Sequence, residues 1–407
     1  MRLLVSFAAL FLSVALLQLG LGGVAPLDAL SGVALGFTAA EIGMLGSAHF
    51  LGFFIGCWWA PRLMGEVGHS RAFAAFIAAG TIGVMAHMLI PHALAWAVMR
   101  MAAGLAVAGC YTIVEAWLQS KVTNETRGRA MGVYRVVDIM GSLGAQLIIA
   151  ILPPAEYVSY TILALLTCSA LFPLVLTRAE APATGAAPRL RPALAWERSP
   201  LASVGVVVSG VTGAAFRMVG PLYGLAVGLS PDLIALFLAA YVVGGAIAQI
   251  PVGWLADRFD RRAVLIWLSV ASVAACALTV ALGGAGPVGV FLAAGFFGLT
   301  TFPIYSVSTA HAHDRAEPLE RVELSAALMF LYGVGAIASP LIASVLIAWF
   351  GPPGMFAFIA LAHVALVVFG LWRSLVGPRS AARTGYVYVP RTSYLIGRLL
   401  GRNDDRS

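Results

Sequence analysis

Uninterrupted apolar runs of about twenty residues recur along this chain, and two clear cases are 157-177 and 263-284. About twenty residues in an α-helix, at roughly 1.5 Å per residue, span the hydrocarbon core of a bilayer. A membrane β-barrel would instead show alternating polarity in segments of about ten residues. The runs therefore predict an all-α integral membrane protein.

Composition agrees with this interpretation, because 60% of the residues are hydrophobic and only 11% are charged. A soluble domain carries about 25% charged residues. The length of 407 residues accommodates about twelve spans with short loops. The predicted spans are 3-25, 41-63, 72-91, 94-120, 130-152, 157-177, 201-226, 232-256, 263-284, 287-311, 323-349 and 354-376.

One long polar stretch, RAEAPATGAAPRLRPALAWERSP at 178-200, interrupts the apolar pattern in the middle of the chain. Its Ala, Pro and Arg content is typical of a solvated linker. We therefore predict an N-terminal six-helix bundle over 1-177, a cytoplasmic linker over 178-200, a C-terminal six-helix bundle over 201-376 and a basic cytoplasmic tail over 377-407. The first apolar run is interpreted as a helix, because no small-x-small cleavage site follows it before Pro26.

The distribution of basic residues predicts the orientation. With the N-terminus in the cytoplasm, none of the six outer connections contains Lys or Arg, whereas the inner connections and the tail are rich in them. This asymmetry follows the positive-inside rule and places both termini and the linker on the cytoplasmic side of the inner membrane. The formal charge of +7 is explained in the same way, so nucleic acid is not an expected partner.

The two halves of the chain share a feature that indicates an internal repeat. Each has a short basic loop after its second predicted helix, GEVGHSR at 65-71 and ADRFDRR at 256-262. Internal repeats of this kind are typical of secondary transporters.

The segment GWLADRFDRRAVL at 253-265 resembles the G-x-x-x-D-R-x-G-R-R loop signature of the major facilitator superfamily, although Asp260 replaces the usual glycine. RMAAGLAVAG at 100-109 is similar to the R-x-x-x-G-x-x-x-x-G element of many members. APRLMGEVGH (60-69), VEAWLQSKVTNETRGR (114-129), FPIYSVSTAHAHD (302-314) and YGVGAIASPLIAS (332-344) resemble the YcaD-like transporter subgroup. The family's proline-containing antiporter motif is missing from GSLGAQLIIA at 141-150, which disfavours drug/proton antiport.

The resemblance implies a two-bundle facilitator fold whose solute site near the bilayer midplane opens to one side and then to the other. It also implies a gating role for the loop signature. The matching residues are Gly253, Asp257, Arg258, Arg261 and Arg262. An aspartate near a helix end can hold one access state by meeting an arginine and a helix terminus. The alternative is a basic turn that only fixes orientation.

Five charged residues fall inside predicted spans, namely Arg100, Glu115, Arg135, Asp138 and Arg217. Such charges are costly in lipid and usually face a water-filled cavity or pair with one another. Arg135 and Asp138 are three residues apart, so they either neutralise each other on one helix face or line a cavity together. Glu115 lies near a helix end, where an interfacial or gating contact competes with proton carriage.

Arg217 lies deep in the seventh predicted span, among small residues. It contacts substrate, forms a structural ion pair, or marks a misplaced span. Because Arg100, Arg135 and Arg217 outnumber the two acids, we expect them to bind substrate, and their guanidinium groups favour an organic anion.

The sequence thus predicts a secondary transporter of a small solute, embedded in membrane lipid and driven by protons carried on Glu115 or Asp138. There is no phosphate-binding G-x-x-x-x-G-K-[ST] loop, and we expect no cofactor. The motif HAHD has no fourth ligand at suitable spacing, so we expect no metal. No catalytic motif was found, which argues against an enzyme. The alternative is a receptor or scaffold with a transporter-like fold.

Overall fold

The computed structural model of the protein describes residues 2–122, 127–176, 191–317 and 320–376. Most of the predicted linker and the predicted tail therefore lie outside the described residues. Within these ranges every regular element is a helix, and twelve helical segments are long and apolar enough to cross a membrane. The predicted all-α membrane fold with about twelve spans is confirmed.

The chain divides into two compact units, Met1–Ala187 and Pro188–Ser407. The described helices of the first unit are α1 (Arg2–Ala34), α2 (Ala39–Val67), α3 (His69–Ala86), α4 (Ala93–Lys121), α5 (Arg127–Ile148), α6 (Tyr157–Ser169) and α7 (Leu171–Val175). Those of the second unit are α8 (Pro192–Arg198), α9 (Pro200–Ala226), α10 (Pro231–Arg258), α11 (Arg261–Leu282), α12 (Pro287–Thr301), α13 (Pro303–His313), α14 (Arg321–Phe350) and α15 (Pro353–Val376).

Both units use the same helix pairing. In the first unit α2 packs on α4, α1 on α5 and α3 on α6, and in the second unit the equivalent pairs are α10 with α12, α9 with α14 and α11 with α15. Glycine residues allow the helices of the α2–α4 pair and of the α10–α12 pair to approach each other closely. A Cβ atom on Gly104 would lie 1.9 Å from the carbonyl oxygen of His49, and one on Gly298 would lie 2.0 Å from that of Tyr241. Small residues are what allow membrane helices to approach this closely.

Local sequence explains where many helices begin. Before α2, the Thr38 side chain accepts a hydrogen bond from the Glu41 amide while the Glu41 carboxylate accepts one from the Thr38 amide, which is a capping box. Ser199 and Asp260 cap α9 and α11. Six described helices of the second unit begin at proline. Proline suits the first helical position, because an amide hydrogen there would have no acceptor within the helix.

The helix α1 extends further than predicted. It passes Pro26 and ends at Ala34, whereas the sequence predicted an end at residue 25. Proline is tolerated inside membrane helices because neighbouring helices satisfy the freed backbone groups. Asp28 therefore lies inside the first spanning helix, where it is buried, and not in an outer loop.

Part of the predicted solvated linker is folded. Residues 192–198 form α8, which packs on α9 and α14 and buries Leu194 and Ala195. The expectation of a wholly solvated linker over 178-200 is corrected for these residues, since apolar burial and ion pairs to α14 hold α8 in place.

Candidate functional site

A buried ionic cluster joins α1, the turn that follows α3, α4 and α6 in the first unit, and we call Asp28, His87, Arg100 and Tyr160 the Asp28 cluster. The Oδ2 atom of Asp28 lies 3.3 Å from Nε of Arg100. Its Oδ1 atom accepts a hydrogen bond of 2.9 Å from the Tyr160 hydroxyl. All four residues are buried, and Arg100 is only 1% exposed. An opposite charge at this distance offsets much of the cost of burying either ion.

His87 lies beside the carboxylate of Asp28 in this cluster. Its Nδ1 lies 2.7 Å from the carbonyl oxygen of Gly83, so Nδ1 donates and carries a hydrogen. Its Nε2 lies 3.5 Å from Oδ2 of Asp28. The imidazole of His87 is thus held between a backbone carbonyl of α3 and the carboxylate of Asp28.

A second cluster surrounds Asp138 on α5. Its Oδ2 lies 2.6 Å from Nη1 of Arg135, and its Oδ1 accepts hydrogen bonds of 2.7 Å from Gln18 and 2.8 Å from Tyr111. The pairing of Arg135 with Asp138 is the first of the two arrangements that their spacing suggested. Both side chains keep some exposure, 14% and 13%, so the pair remains accessible to a small ion.

Glu115 is held one helical turn away from this pair. Its Oε1 accepts a hydrogen bond of 3.1 Å from the hydroxyl of Tyr134. Tyr111 and Glu115 on α4 are thus matched with Asp138 and Tyr134 on α5, so that each helix supplies one tyrosine and one carboxylate. The two carboxylates that were predicted as proton carriers therefore belong to one hydrogen-bonded ladder.

The charge count predicted for the membrane interior needs a correction. Arg100 is buried against Asp28 and Arg135 is paired with Asp138, so neither is placed as an open anion ligand. With Asp28 included, the membrane interior holds three arginines and three acids, so the predicted arginine excess disappears. Asp28 was not among the predicted membrane charges, because the first predicted span ended at residue 25.

Arg217 on α9 has a different environment. Between Leu201 and Leu225 it is the one exposed residue, with buried neighbours on both sides in the chain. It lies about 25 Å from the N-terminal end of α9 and about 13 Å from the C-terminal end, at 1.5 Å per residue. Within the described residues Arg217 makes no ion pair or hydrogen bond. This leaves its guanidinium group available to a ligand.

The loop signature is organised around Arg261, which begins α11. Its Nη1 lies 2.6 Å from Asp314 and donates to the carbonyl oxygen of Ala310, and its Nη2 lies 3.2 Å from Asp257. Arg261 and Asp314 are buried, with side-chain exposures of 2% and 4%, whereas the Asp257 side chain is 50% exposed. Arg261 therefore connects the ends of α10, α11 and α13 through these contacts. Asp257 lies on their solvent-accessible side.

The other signature residues lie around the same helix ends. Gly253 is buried on α10, and the guanidinium of Arg258 lies 5.2 Å from the ring centre of Trp254. Arg262 donates from Nη1 to the carbonyl oxygen of Arg373 at 3.2 Å. Asp260, which replaces the usual glycine, accepts a hydrogen bond from the Arg262 amide and so caps α11. This explains how the departure from the family pattern is accommodated.

The two histidines of HAHD have protein partners. His311 accepts a hydrogen bond of 2.7 Å from Arg315, and Nε2 of His313 lies 3.1 Å from the Ser325 hydroxyl. Asp314 is bound to Arg261, so these three side chains point into separate contacts. In the described part of the chain no group of three or more potential metal-ligating side chains comes together.

Outside the membrane, α8 is bound to the start of α14 by ion pairs. Arg198 donates to Glu320 at 2.6 Å, and Arg191 lies 3.3 Å from Glu323. The hydrogen bond from Arg198 lowers the pKa of Glu320 from its ordinary value, and the same bond raises the pKa of Arg198.

The described residues contain twelve candidate membrane spans in two similar units, with charges inside the spans and a loop signature built around Arg261. This is the architecture of a major facilitator transporter. The Major Facilitator Superfamily model matches residues 201–387. Over this segment the chain is therefore similar to the major facilitator superfamily.

Two relatives show how the similarity is distributed. An MFS-type transporter of Enterobacter sp. (strain 638) is 27% identical over 325 residues, which cover 79% of this chain and 83% of the relative. The MFS-type transporter YcaD of Salmonella newport (strain SL254) is 27% identical over 331 residues, covering 79% and 83%. The similarity to YcaD-like transporters predicted from the sequence is confirmed.

Among solved structures, a variant of the nucleoside transporter NupG superposes with a TM-score of 0.76 at 14% identity, covering 90% of this chain and 99% of that one. At this identity the likeness establishes the fold. The chain is thus a multi-pass membrane protein with the fold of a secondary transporter.

Proposed function

We propose that the protein is a proton-coupled secondary transporter of the inner membrane that moves a small organic anion by alternating access. The similarity to major facilitator transporters supports transport, and the interior charges support the finer assignments. Arg217 is the substrate contact in this proposal. Arg135, paired with Asp138, and Arg100, paired with Asp28, are assigned to the coupling machinery.

The observation that carries the anion assignment is the exposed, unpaired guanidinium of Arg217 in the middle of an otherwise buried helix. A cation without a counterion is costly in a membrane, so such a group is retained where it meets water or a ligand. Its planar fork binds a carboxylate or phosphate through two parallel hydrogen bonds. The structural ion pair considered from the sequence has no partner within the described residues.

The experiment is a thermal-shift screen of purified protein against acidic and neutral metabolites, run in parallel on wild type and Arg217→Ala. We expect an anionic solute to stabilise the wild type and to leave folded Arg217→Ala unchanged. Arg217→Lys keeps the charge but loses the fork, so it should bind that solute about 10-fold more weakly or worse. Arg71→Ala, which removes an exposed arginine at the start of α3, is the control. Equal stabilisation of the wild type, Arg217→Lys and Arg217→Ala, all folded, would exclude Arg217 as the anion contact.

The Asp28 cluster supports proton coupling, because it buries a carboxylate, an imidazole and an arginine together inside the first unit. Glu115 and Asp138 are the other candidate carriers, held by tyrosine hydroxyls in the ladder between α4 and α5. In this proposal Asp28 exchanges the proton, and Arg100 stabilises its charged form. Asp28→Asn should then retain solute binding while losing any response of transport to an imposed pH gradient.

The orientation, with both termini in the cytoplasm, remains part of the proposal. Reporters fused after residue 377 and within residues 178-190 should be active only in the cytoplasm. Periplasmic activity of either fusion would reverse the topology. A protein that binds no solute in the screen and shows no transport would favour the receptor or scaffold alternative.

A further inference from the structure

Three arginines of the second unit lie at the ends of neighbouring helices, and we call Arg262, Arg315 and Arg373 the arginine cluster. Arg262 lies in the first turn of α11, Arg315 follows α13, and Arg373 lies in the last turn of α15. The guanidinium of Arg262 is bonded to the backbone carbonyl of Arg373. Burial lowers the pKa of Arg315, and the nearby charge of Arg262 and, more weakly, that of Arg373 lower it further, while Asp314 and Asp260 oppose this.

The nearby acids are already engaged. Asp314 is bound to the buried Arg261, and Asp260 accepts the amide hydrogen bond that begins α11. Arg315 donates to His311 and Arg373 lies beside a tryptophan ring, and neither makes an ion pair within the described residues. The cluster therefore has an excess of positive charge that an anion from outside the chain can offset.

Aromatic side chains place this cluster at the level of lipid headgroups. Rings of Trp196, Phe369 and Trp372 follow one another with centroid distances of 6.0 and 5.6 Å. Trp372 is 51% exposed, and Arg373 lies 5.8 Å from its ring centre. Exposed tryptophans at a helix end are typical of the membrane–water interface. Beyond Trp372 the exposed Leu375 continues the lipid-facing surface of α15.

We propose that Arg262, Arg315 and Arg373 form a binding site for the phosphate of an anionic phospholipid. The three arginines would contact the headgroup, and the exposed rings of Trp372 and Trp196 would pack against the glycerol and the upper acyl chains. Arginine next to interfacial aromatic residues suits the binding of a lipid headgroup. The guanidinium donates two parallel hydrogen bonds to the phosphate, while the tryptophan ring stays at the membrane–water interface. The simpler interpretation is that Arg262 only caps the end of α15 and that water solvates the other two.

The test measures lipid retained by the purified full-length protein, using native mass spectrometry with phosphatidylglycerol and phosphatidylcholine as the two probes. The double variant Arg315→Gln with Arg373→Gln should weaken phosphatidylglycerol binding by roughly 10- to 30-fold and leave phosphatidylcholine unchanged. Arg62→Gln is the matched control, because Arg62 also stacks on an exposed interfacial tryptophan, Trp58, but belongs to the first unit.

Three results would overturn the proposal. These are equal retention of the two lipids by the wild type, equal retention of phosphatidylglycerol by wild type and double variant, and displacement of phosphatidylglycerol by inorganic phosphate at low millimolar concentration. The last would identify a site for a soluble anion.

If the double variant does not fold, fluorescence quenching answers the same question. Brominated phosphatidylglycerol should quench the wild type more than brominated phosphatidylcholine does, and Trp372→Phe should remove most of that difference. An unchanged difference in Trp372→Phe would place the anionic lipid elsewhere.

Discussion

The first unit buries its charges in the interior of its helix bundle, whereas the second unit holds most of its charges at helix ends. In the first unit Asp28 is matched with Arg100, and Asp138 with Arg135. In the second unit Arg261 and Asp314 lie at helix ends, and Arg217 stands alone in mid-helix. Similar helix packing thus supports two different electrostatic designs.

The difference suggests a division of tasks. A buried acid that exchanges a proton is stabilised in its charged form by a neighbouring arginine, as Asp28 is by Arg100. An unpaired arginine cannot lose its proton, but it can attract an anion. We therefore assign proton exchange to the first unit and recognition of the solute's anionic group to the second.

The largest expected effect is on the buried pair of the first unit. Arg100→Met should destabilise the protein by about 3–5 kcal/mol, because it leaves Asp28 buried without its cation. Thermal unfolding followed by tryptophan fluorescence measures this loss. Arg217→Met removes an exposed, unpaired arginine from the second unit and should shift stability by only about 0.5 kcal/mol.

The double variant Arg100→Met with Asp28→Asn is the control for the first prediction. It should recover much of the lost stability, since neither ion then remains. Similar losses for Arg100→Met and Arg217→Met would show that the two arginines do not differ in the way the comparison requires.

The next effect separates the two carboxylates that share Arg261. Asp314→Asn should cost about 3 kcal/mol, because that carboxylate is buried in contact with a buried arginine. Asp257→Asn removes a half-exposed partner and should cost less than about 1 kcal/mol. If Asp257 gates transport, this variant will nevertheless transport more slowly at equal expression. Wild-type transport by Asp257→Asn would leave the loop signature with an orienting role only.

The smallest effect concerns the ion pair between α8 and α14. The pKa of Glu320 in the folded protein lies below its ordinary value of 4.5, so the pair contributes stability above pH 4.5 and loses it as pH falls through the folded-state pKa. Glu320→Gln should therefore lower the free energy of unfolding at pH 7 by less than about 1 kcal/mol. The difference in stability between this variant and the wild type should shrink in acid.

The control for that prediction is Glu317→Gln. Its carboxylate is 72% exposed and lies 3.9 Å from Arg198, so its removal should have no measurable effect. A difference for Glu320→Gln that stays constant from neutral pH to well below pH 4.5 would show that the ion pair is not its cause.

The sequence predicted the fold well because long apolar runs are a strong signal of membrane-spanning helices. Spacing alone indicated that Arg135 and Asp138 could meet, since residues three apart share a helix face. The end of the first helix was misplaced. The predicted span stopped at residue 25, which excluded Asp28 from the membrane and left Arg100 without its partner.

Other features were beyond sequence reasoning because they depend on contacts between distant segments. The bonds of Asp138 to Gln18 and of Arg261 to Asp314 join residues 120 and 53 positions apart. The exposure of Arg217 is likewise a property of packing, since the sequence showed its depth but not which side of α9 it faces.

The division of tasks is tested most directly by solute-driven proton movement in proteoliposomes that contain a pH-sensitive dye. The solute is the anion that the thermal-shift screen identifies. Adding it to wild-type proteoliposomes should change the internal pH. Asp28→Asn should bind the solute without this pH change, and Arg217→Ala should lose binding and pH change together. A wild-type pH response in folded Asp28→Asn, or unaltered solute binding in folded Arg217→Ala, would contradict the account.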